Sequence, residues 1–558
     1  MAADLRTALV FTPRVRCTED LMDSLGRQAW AACSPTAAGF IGRGRGLELR
    51  FDFARTARQA LDRLASSYYN LVVVDCRHLP GCGRGAARHE EAVFAFLDAL
   101  RREPDRERRY PFRRVVALVG DSDETRADHL IFAMGERHVG ACLRDVSLSA
   151  HHGARSEAAR DEFVESFWTL CRKVLVERHR GKKAINAAGG GLSGLYYELG
   201  VLKCLDDALD IDLRDFDLYY GISAGAMAVG GLATGYSIDD LLVRLGKVDE
   251  TWPYRLQLSW RHLNLSEIPR RISLVQRELL RYAVRMVKRE DELSVPSLLG
   301  AWAVMLGPIF DSTEFGEGLR RFFEGSTHGN DFRTLPTRLF IGATDQDRRE
   351  HVLFGGEGFD GVPISRAVQA SCAAHPFFPS VEIDGRYYTD GIVTRTSNVR
   401  SAVDHGADLI FVLDPFVPLI TNDAGFNARH GNMWIVEQDY KTMSYTRYEQ
   451  ARNELLRRHS RVSIYTFVPS NSMRRLMSGQ NPFVSRNFHS IVCEAYKSAY
   501  RRLRTIEYKI RGELASHGIK MALAPVEERV HRLADAKRPD AAALLGTVNP
   551  DKRAPTAA

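Results

Sequence analysis

Twice between Lys183 and Ala233, a short apolar segment with strand character runs through a glycine-rich turn directly into a helical segment. The first turn lies in AINAAGGGLSG, residues 184–194, and the second lies in GISAG, residues 221–225. Repeated strand–turn–helix units are typical of parallel α/β sheets. The pattern therefore predicts a large α/β unit from residue 183 to about residue 525, with its chemistry in the turns that follow the strands.

The first turn contains three successive glycines, Gly189, Gly190 and Gly191. Such a run lets backbone N–H groups point at one anionic spot, which the positive end of the following helix also favours. The anion could be the pyrophosphate of a dinucleotide, because GGGLSG also fits GxGxxG. It could equally be the oxyanion of an acyl-transfer intermediate. The residues alone leave both interpretations open.

The second turn places Ser223 between Gly221 and Gly225, after the strand-like DLYY and before the helical AGAMAVGGLA. A serine on a sharp strand-to-helix turn between glycines is typical of a nucleophile elbow, which exposes the hydroxyl at the end of the strand. The alternative is a Gly-Ser turn without chemistry. A third motif, TDGIV at residues 389–393, places Asp390 and Gly391 after another strand-like segment. By itself, an Asp-Gly pair is most often a turn.

In this order, the three motifs resemble those of the patatin-like phospholipase family. The resemblance extends over roughly residues 183–515, including LFIGATD at 339–345 and HGADLIFVLD at 405–414. It implies a three-layer α/β/α hydrolase domain in which Ser223 is the nucleophile and Asp390 its partner in a Ser-Asp dyad. It also implies an oxyanion hole formed by Gly189, Gly190 and Gly191, and it assigns as motif glycines Gly194, Gly221, Gly225 and Gly391.

The chain departs from the family pattern near these motifs. Ser193 stands where the family usually has arginine or lysine, and Ile392 stands where glycine or alanine usually follows Asp-Gly. Thr396 and Asn398 replace an asparagine and a proline. None of these positions is the nucleophile or the base, but each bears on the geometry of the oxyanion loop or of the Asp-Gly loop.

The resemblance implies hydrolysis of carboxylic esters of lipids, of the phospholipase A, lysophospholipase or esterase type, through an acyl-enzyme. We expect this chemistry to need no cofactor and no metal, since the sequence has no HExxH and no other metal-ligand spacing. His375 lies near the third motif, but we interpret it as a structural histidine. The alternative interpretation is a weak or inactive patatin-like protein that acts by binding in signalling or as a scaffold, for which Ser193, Ile392 and Asn398 are the sequence support.

Residues 1–150 alternate between strand and helix patterns, which predicts a smaller, flavodoxin-like α/β domain. Its order resembles a response-regulator receiver domain with Asp75 at the phosphoacceptor position, although FTPRVR lacks the acidic pair that holds magnesium and Arg144 stands near the place of the late-strand lysine. We therefore expect a regulatory domain that docks a protein partner or regulator rather than one that accepts phosphate.

Residues 151–182 are predicted to be a helical connector, and residues 526–558 a disordered tail. Within the first domain the predicted strands are 7–11, 70–75 and 114–119, and the predicted helices are 53–65 and 92–100.

The 558-residue chain has a composition typical of globular proteins, with 45% hydrophobic and 26% charged residues and a net charge of +7. No segment has the length of a membrane span or the pattern of a secretion signal, so we expect a cytoplasmic protein that can be peripheral at a membrane. Pro269–Glu290 has the pattern of a basic amphipathic helix, which can contact an anionic bilayer or pack on the core as a cap. In the basic clusters at 106–114 and 178–183, only Tyr110 and Phe112 are interleaved aromatic residues, so we expect solvated loops and no nucleic-acid partner.

Overall fold

The computed structural model shows two compact units. The first contains residues 1–180, 457–461 and 505–518, and the second contains residues 181–456, 462–504 and 519–558. The residues that the structure describes are 6–26, 39–67, 69–79, 86–102, 110, 112–148, 157–175, 181–246, 264, 268–287, 308–459, 462–478 and 487–555.

The first unit is built on a six-stranded sheet. Its strands are β1 (Arg6–Phe11), β2 (Gly39–Gly44), β3 (Leu47–Ala54), β4 (Leu71–Arg77), β5 (Val115–Gly120) and β6 (Ala141–Arg144). Their order is β2-β3-β1-β4-β5-β6, with β2 antiparallel to β3 and all other pairs parallel. Without the edge strand β2, this is the strand order of a flavodoxin-like fold. The prediction of a flavodoxin-like α/β domain is therefore confirmed.

Five helices cover the two faces of this sheet. They are α1 (Val15–Gly26), α2 (Ala57–Ser66), α3 (Ala86–Arg102), α4 (Glu124–Glu136) and α5 (Glu157–Leu175). Alternate residues of each strand enter two separate cores, because successive side chains of a strand point to opposite faces. In β1, for example, Leu9 and Phe11 pack with Phe96 of α3, whereas Ala8 and Val10 share a core with Trp168 of α5.

Two predictions for the first unit are wrong. The predicted helix 53–65 begins too early, because Phe53 and Ala54 belong to β3, and the helical pattern applies only from Ala57. The hairpin formed by β2 and β3 was not predicted. It depends on a contact distant in sequence, since a Cβ atom on Gly44 would lie 2.4 Å from the ring of Trp168.

The helix predicted as a connector belongs instead to the core of the first unit. Helix α5 buries Phe163, Phe167, Trp168 and Cys171, and the Trp168 ring packs edge-on against Phe51 at 6.2 Å between centroids. The helical periodicity was correct, but periodicity does not say which surface the apolar face covers.

The second unit contains an eight-stranded sheet. Its strands are β7 (Lys182–Ala187), β8 (Leu218–Ile222), β9 (Arg338–Asp345), β10 (His351–Phe354), β11 (Val381–Ile383), β12 (Arg386–Asp390), β13 (Ala407–Leu413) and β14 (Ser463–Phe467). The order is β11-β12-β9-β8-β7-β13-β14, with β10 also paired to β9. The central strands β9, β8, β7, β13 and β14 are parallel, and β10, β11 and β12 are antiparallel additions.

The remaining helices are α6 (Gly191–Ala208), α7 (Ala224–Ala233), α8 (Ile238–Arg244), α9 (Ile268–Val287), α10 (Thr313–Glu324), α11 (Ile364–Ser371), α12 (Val399–Asp404), α13 (Phe426–Arg429), α14 (Asn432–Arg458), α15 (Asn471–Met477), α16 (Phe488–Ser516) and α17 (Ala524–Asp535). They belong to the second unit, except for the last two residues of α14 and the residues of α16 from 505 onward, which belong to the first. Helices α7 and α11 pack on strands of the central sheet, and α6 packs on α7. Residues of α12 and α14 share another apolar core with β7, β8, β9 and β13. The predicted three-layer α/β/α architecture is confirmed.

Helix α9 contains most of the predicted amphipathic segment Pro269–Glu290. Of its apolar stripe, Val275 is buried, whereas Ile272 is 45% exposed. Among the described helices, none combines the length and the apolar character that a bilayer span requires. Two sequence features fall largely outside the described residues, namely the basic cluster at 178–180 and the apolar segment 298–307. Of the cluster at 106–114, the described Arg113 and Arg114 are buried and pair with Glu513.

The predicted disordered tail is wrong. Helix α17 buries Val526, Arg529 and Leu533, and the following segment buries Ala541 and Leu544. The charges that suggested disorder are used to neutralise acidic groups of α6. Arg529 Nη1 donates to the buried carboxylate of Asp207 at 2.6 Å, and Lys552 Nζ donates to Asp206 at 2.6 Å. A charged C-terminal segment can therefore pack on the folded domain, because the domain supplies the carboxylates that neutralise its cations.

We predict that Arg529→Ala lowers the free energy of unfolding by about 3–5 kcal/mol, because Asp207 would keep a buried charge without its main counterion. Arg538→Ala is the matched control, since Arg538 is exposed in the same segment. Thermal unfolding of the two variants measures the difference. Equal melting temperatures would contradict a structural role for the C-terminal segment.

Candidate active site

Ser223 occupies the turn between β8 and α7, as the elbow motif predicts. Its backbone angles are φ 52° and ψ −124°, a region that side-chain-bearing residues rarely adopt. The strain is held by Ser371, whose Oγ accepts a hydrogen bond from the Ser223 N–H at 2.8 Å and donates to the carbonyl of Gly342 at 2.6 Å. The elbow is therefore fixed to β9 through one buried hydroxyl.

The glycines beside Ser223 are required by close packing. A Cβ atom on Gly221 would lie 2.4 Å from the Cα of Ala226 in the following helix. A Cβ atom on Gly225 would lie 2.5 Å from the carbonyl carbon and oxygen of Ala187, the last residue of β7. The elbow thus packs directly against the strand that leads into the glycine-rich loop.

The glycine-rich loop lies beside the serine. A Cβ atom on Gly189 would be 3.1 Å from the Cβ of Ser223, and one on Gly190 would be 2.9 Å from Pro415. Gly191 has a φ of 63° and begins α6. In the described part of the chain, the N–H groups of Gly190 and Gly191 have no hydrogen-bond partner. Two donors at a helix N-terminus are therefore available near the Ser223 hydroxyl.

The register of the sheet brings Asp390 to the end of the sheet where Ser223 lies. Ile222 of β8 pairs with Gly342 of β9, and Asp390 of β12 pairs with the next residue, Ala343. The Asp390 carboxylate accepts a hydrogen bond from the N–H of Ile392 at 2.9 Å, and the Ser223 side chain lies close enough to lower the pKa of this carboxylate. A Cβ atom on Gly391 would lie 2.4 Å from the carbonyl oxygen of Gly342, which explains the glycine after Asp390.

The Asp390 carboxyl group is almost wholly removed from water. Burial raises its pKa from the usual 3.8 to about 6, and the hydrogen bond from Ile392 and the neighbouring Ser223 side chain only partly offset this effect. A carboxylate with a pKa near 6 is a stronger base than an exposed aspartate, yet it is still ionised at neutral pH. It is therefore suited to accept a proton from a neighbouring hydroxyl.

Three residues that depart from the family pattern lie in or beside this site. They are Asn398, Ser193 and Ile392. The backbone N–H of Asn398 donates to Asn186 Oδ1 at 3.2 Å, and its Oδ1 lies 2.8 Å from His351 Nε2. His351 Nδ1 in turn lies 2.9 Å from the Thr394 hydroxyl in the loop after Asp390. Asn398 therefore connects the Asp-Gly loop to the strand preceding the glycine-rich loop. Ser193 lines the same cavity as Ser223, and Ile392 lies next to Gly189.

The structure places neither His375 nor His405 in a catalytic triad. His375 lines the cavity and its Nδ1 lies 3.0 Å from the Thr389 hydroxyl, but no hydrogen bond to Ser223 or Asp390 is found in the described residues. Burial lowers the pKa of His375. His405 contacts the hydroxyl of Tyr220 instead. His151 and His152 lie outside the described residues.

Ser223 and Asp390 open onto a cavity of about 1840 Å³. Its walls carry many apolar side chains, among them Leu192, Met227, Phe315, Phe377, Phe378 and Met477. Part of the wall comes from α13 and α14, which lie far beyond the three motifs in the sequence. A cavity of this size and character fits a ligand with a long apolar part. No group of three or more metal-ligating side chains occurs in the ranges that the structure describes.

Sequence reasoning missed two residues at this site. Cys372 lines the cavity beside Ser223, and burial raises the pKa of its thiol well above the usual value, so it is a neutral neighbour of the serine. Arg447 of α14 donates to the carbonyl oxygens of Ile392 and Val393, both at 2.8 Å. No local motif marks either residue, because each reaches the site through the tertiary fold.

Residues 187–403 match the family model described as patatin-like phospholipase. This match includes both the serine elbow and the Asp-Gly motif. The chain contains a patatin-like phospholipase domain. The cUMP-AMP-activated phospholipase of Escherichia coli is 28% identical over 191 residues, which are 34% of this chain and 46% of that protein. The match thus spans about half the length of that relative.

Three solved structures similar to this chain are VipD, a response regulator receiver domain protein and NtrX. VipD of Legionella pneumophila has 14% identity and a TM-score of 0.27, and the match covers 58% of this chain and 67% of VipD. A receiver domain protein of Clostridium thermocellum has 14% identity and a TM-score of 0.16, with 30% of this chain and 98% of that chain covered. NtrX of Brucella abortus has 17% identity, a TM-score of 0.17, and coverage of 42% and 40%. These TM-scores are too low to support an argument about fold.

Outside the patatin-like domain, Asp75 at the end of β4 was the other candidate residue. It has no exposed surface, and its carboxylate forms an ion pair with Arg77 at 2.8 Å. Arg77 also pairs with Asp145 at 3.0 Å and with Asp20 at 3.1 Å. The sequence analysis compared Arg144 with the receiver lysine, but Arg144 pairs with Asp128. The cation that neutralises Asp75 is Arg77, only two residues away.

We predict that acetyl phosphate with magnesium leaves the mass of the protein unchanged. The Asp75 carboxylate is buried and occupied by Arg77, so it cannot reach a phosphodonor. Intact-mass spectrometry before and after incubation measures this. A stable gain of one phosphoryl group at Asp75 would contradict the expectation.

Proposed function

We propose that this protein is a serine acyl hydrolase that cleaves carboxylic esters of lipids by a Ser223–Asp390 dyad. The observation that carries the proposal is that Ser223 and the buried carboxylate of Asp390 line one apolar cavity, beside the free N–H groups of Gly190 and Gly191. The patatin-like family supports the coarser assignment to lipid acyl hydrolysis. The intact Ser223, Asp390 and loop glycines argue against the alternative of a protein that acts only by binding.

In the first step, the Ser223 hydroxyl attacks the ester carbonyl carbon while its proton passes to Asp390. A serine hydroxyl is a weak nucleophile unless a base removes this proton during the attack. The N–H groups of Gly190 and Gly191 are positioned to stabilise the oxyanion that forms. Removal of one such donor typically costs about a hundredfold to a thousandfold in rate.

In the second step, the tetrahedral intermediate collapses and the bond to the leaving alcohol breaks. The protonated Asp390 returns its proton to the leaving alkoxide, and the acyl group stays on Ser223. A water molecule then attacks the acyl-enzyme, with Asp390 again accepting the proton, and the fatty acid is released. One carboxyl group serves as base and as acid, which is chemically reasonable for a group whose pKa is about 6.

We predict that the purified protein hydrolyses p-nitrophenyl acyl esters, with kcat/KM rising with acyl length as the chain fills the cavity. Ser223→Ala should abolish the activity, and Asp390→Asn should lower kcat by about a hundredfold to ten-thousandfold. Ser193→Ala is a control that lines the cavity outside the dyad. Full activity in Ser223→Ala would contradict the assignment of the nucleophile.

The pH dependence follows from the ionisation of Asp390. The base must be unprotonated, so kcat/KM should be constant above about pH 7 and should fall about tenfold per pH unit below the pKa of about 6. Steady-state rates on a soluble short-chain ester between about pH 4.5 and 9 measure the profile. A midpoint near 4 would mean that Asp390 is not desolvated in the working enzyme.

The buried, ionised carboxylate of Asp390 should also lower the free energy of unfolding at neutral pH. Its pKa in the folded state lies above the unfolded value, so the folded protein is destabilised as pH rises from about 4 to about 6, and the effect is complete above that range. Asp390→Asn should therefore raise the free energy of unfolding at about pH 8 by about 1–3 kcal/mol and change it little at about pH 4. Chemical denaturation at the two pH values measures this, and a loss of stability at pH 8 would contradict it.

A further inference from the structure

The cavity opens between apolar side chains that are exposed to solvent. Val436, Tyr440 and Met443 of α14 follow one another at intervals of four and three residues, which places them on one face of the helix. Their exposed fractions are 45%, 59% and 54%, and all three line the cavity that contains Ser223. In the described part of the molecule, this face of α14 is therefore both a wall of the cavity and an open surface.

The stripe is continuous with the loop that carries the base. Arg447 follows Met443 by four residues on the same face, and it donates to the carbonyl oxygens of Ile392 and Val393. Val393 is 48% exposed and also lines the cavity. We call Val393, Val436, Tyr440, Met443 and Arg447 the cleft rim. Because Arg447 connects its two sides, the rim is attached directly to the loop after Asp390.

The charges around the cavity are mostly positive. Its lining includes the cations Arg349, Lys441, Arg447 and Arg475 and the carboxylates Asp390 and Glu437. Glu437 is already paired with Lys441 at 2.6 Å. Arg475 packs over the ring of Phe426 at 5.5 Å, and neither it nor Arg349 has a carboxylate partner among the residues described. The cavity lining therefore combines the exposed apolar side chains of the cleft rim with two cations, Arg349 and Arg475, that have no carboxylate partner among the described residues.

From this combination we propose that the cleft rim is a docking surface for an anionic phospholipid bilayer. Valine, methionine and tyrosine side chains can enter the boundary between head groups and acyl chains, while arginine side chains attract lipid phosphates. Docking at the rim would place the cavity mouth against the bilayer, so that an acyl chain could enter the cavity without crossing water. The proposal rests on the proposed lipid substrate, but its test does not depend on hydrolysis.

Helix α9 is the competing surface, because the sequence analysis identified it as a basic amphipathic helix. Its Leu280 and Val284 are 66% and 47% exposed. However, no described residue of α9 lines the cavity, so docking through α9 would not bring Ser223 to the lipid. The two surfaces make different predictions for matched pairs of substitutions.

The test measures cosedimentation of the full chain with vesicles in the Ser223→Ala background, so that the lipid stays intact. The vesicles are phosphatidylcholine alone or phosphatidylcholine mixed with phosphatidylglycerol. We expect binding to the anionic vesicles only, weakened by high salt. Adding Tyr440→Ser with Met443→Ser should reduce the bound fraction about tenfold. Leu280→Ser with Val284→Ser is the matched control on α9 and should leave binding unchanged.

A second arm tests the charge. Arg475→Gln should weaken binding to anionic vesicles, whereas Arg538→Gln, which removes an exposed arginine from the C-terminal segment, should not. Thermal unfolding of every variant verifies that it is folded.

Three results would overturn the proposal. They are equal binding to both kinds of vesicle or to neither, loss of binding in the α9 pair but not in the rim pair, and a dimer that the rim pair dissociates. None of these results concerns ester hydrolysis. Failure of docking is therefore distinguishable from failure of the proposed function, which the activity of the protein with Ser223 intact tests separately.

Discussion

The strained backbone at Ser223 is the constraint on which the rest of the site depends. A positive φ at a residue with a side chain persists only where the surrounding structure holds it. Here it is held by the hydroxyl of Ser371 and by the close approach of Gly225 to Ala187. The same approach fixes the distance between the elbow and the glycine-rich loop. The elbow that carries Ser223 and the loop that carries Gly190 and Gly191 are thus held together by a packing contact between neighbouring strand ends.

The second feature of the site is the removal of water from Asp390. An exposed aspartate near the serine would be too weak a base, and a fully isolated one would stay protonated at neutral pH. The hydrogen bond from Ile392 and the neighbouring Ser223 side chain leave its pKa at about 6, between these limits. The connection from Asn186 through Asn398 and His351 to Thr394 holds the loop after the aspartate. Asn398, which departs from the family pattern, therefore supports the geometry of this loop.

Local sequence patterns predicted the parts of the structure that depend on local backbone geometry. The glycine-rich loop, the serine elbow and the Asp-Gly turn each lie at the end of a strand, as expected from their residues. The sequence did not reveal what depends on distant contacts. The packing of Trp168 against Gly44, the pairing of Arg77 with Asp20 and Asp145, and the cavity wall formed by α14 are of this kind. The C-terminal segment was misjudged for the same reason, because its charges have partners only in the folded domain.

The central claim is that Asp390 activates Ser223 directly. The most direct test is the rate at which a fluorophosphonate labels the protein, followed by peptide mapping, because this reaction needs the activated serine but neither a lipid nor a bilayer. The account predicts a label on Ser223 alone, formed at a rate that rises with pH through an ionisation near 6 and that Asp390→Asn lowers by about a hundredfold or more. Labelling of Ser223 at an equal rate in Asp390→Asn, or a label on another residue, would contradict it.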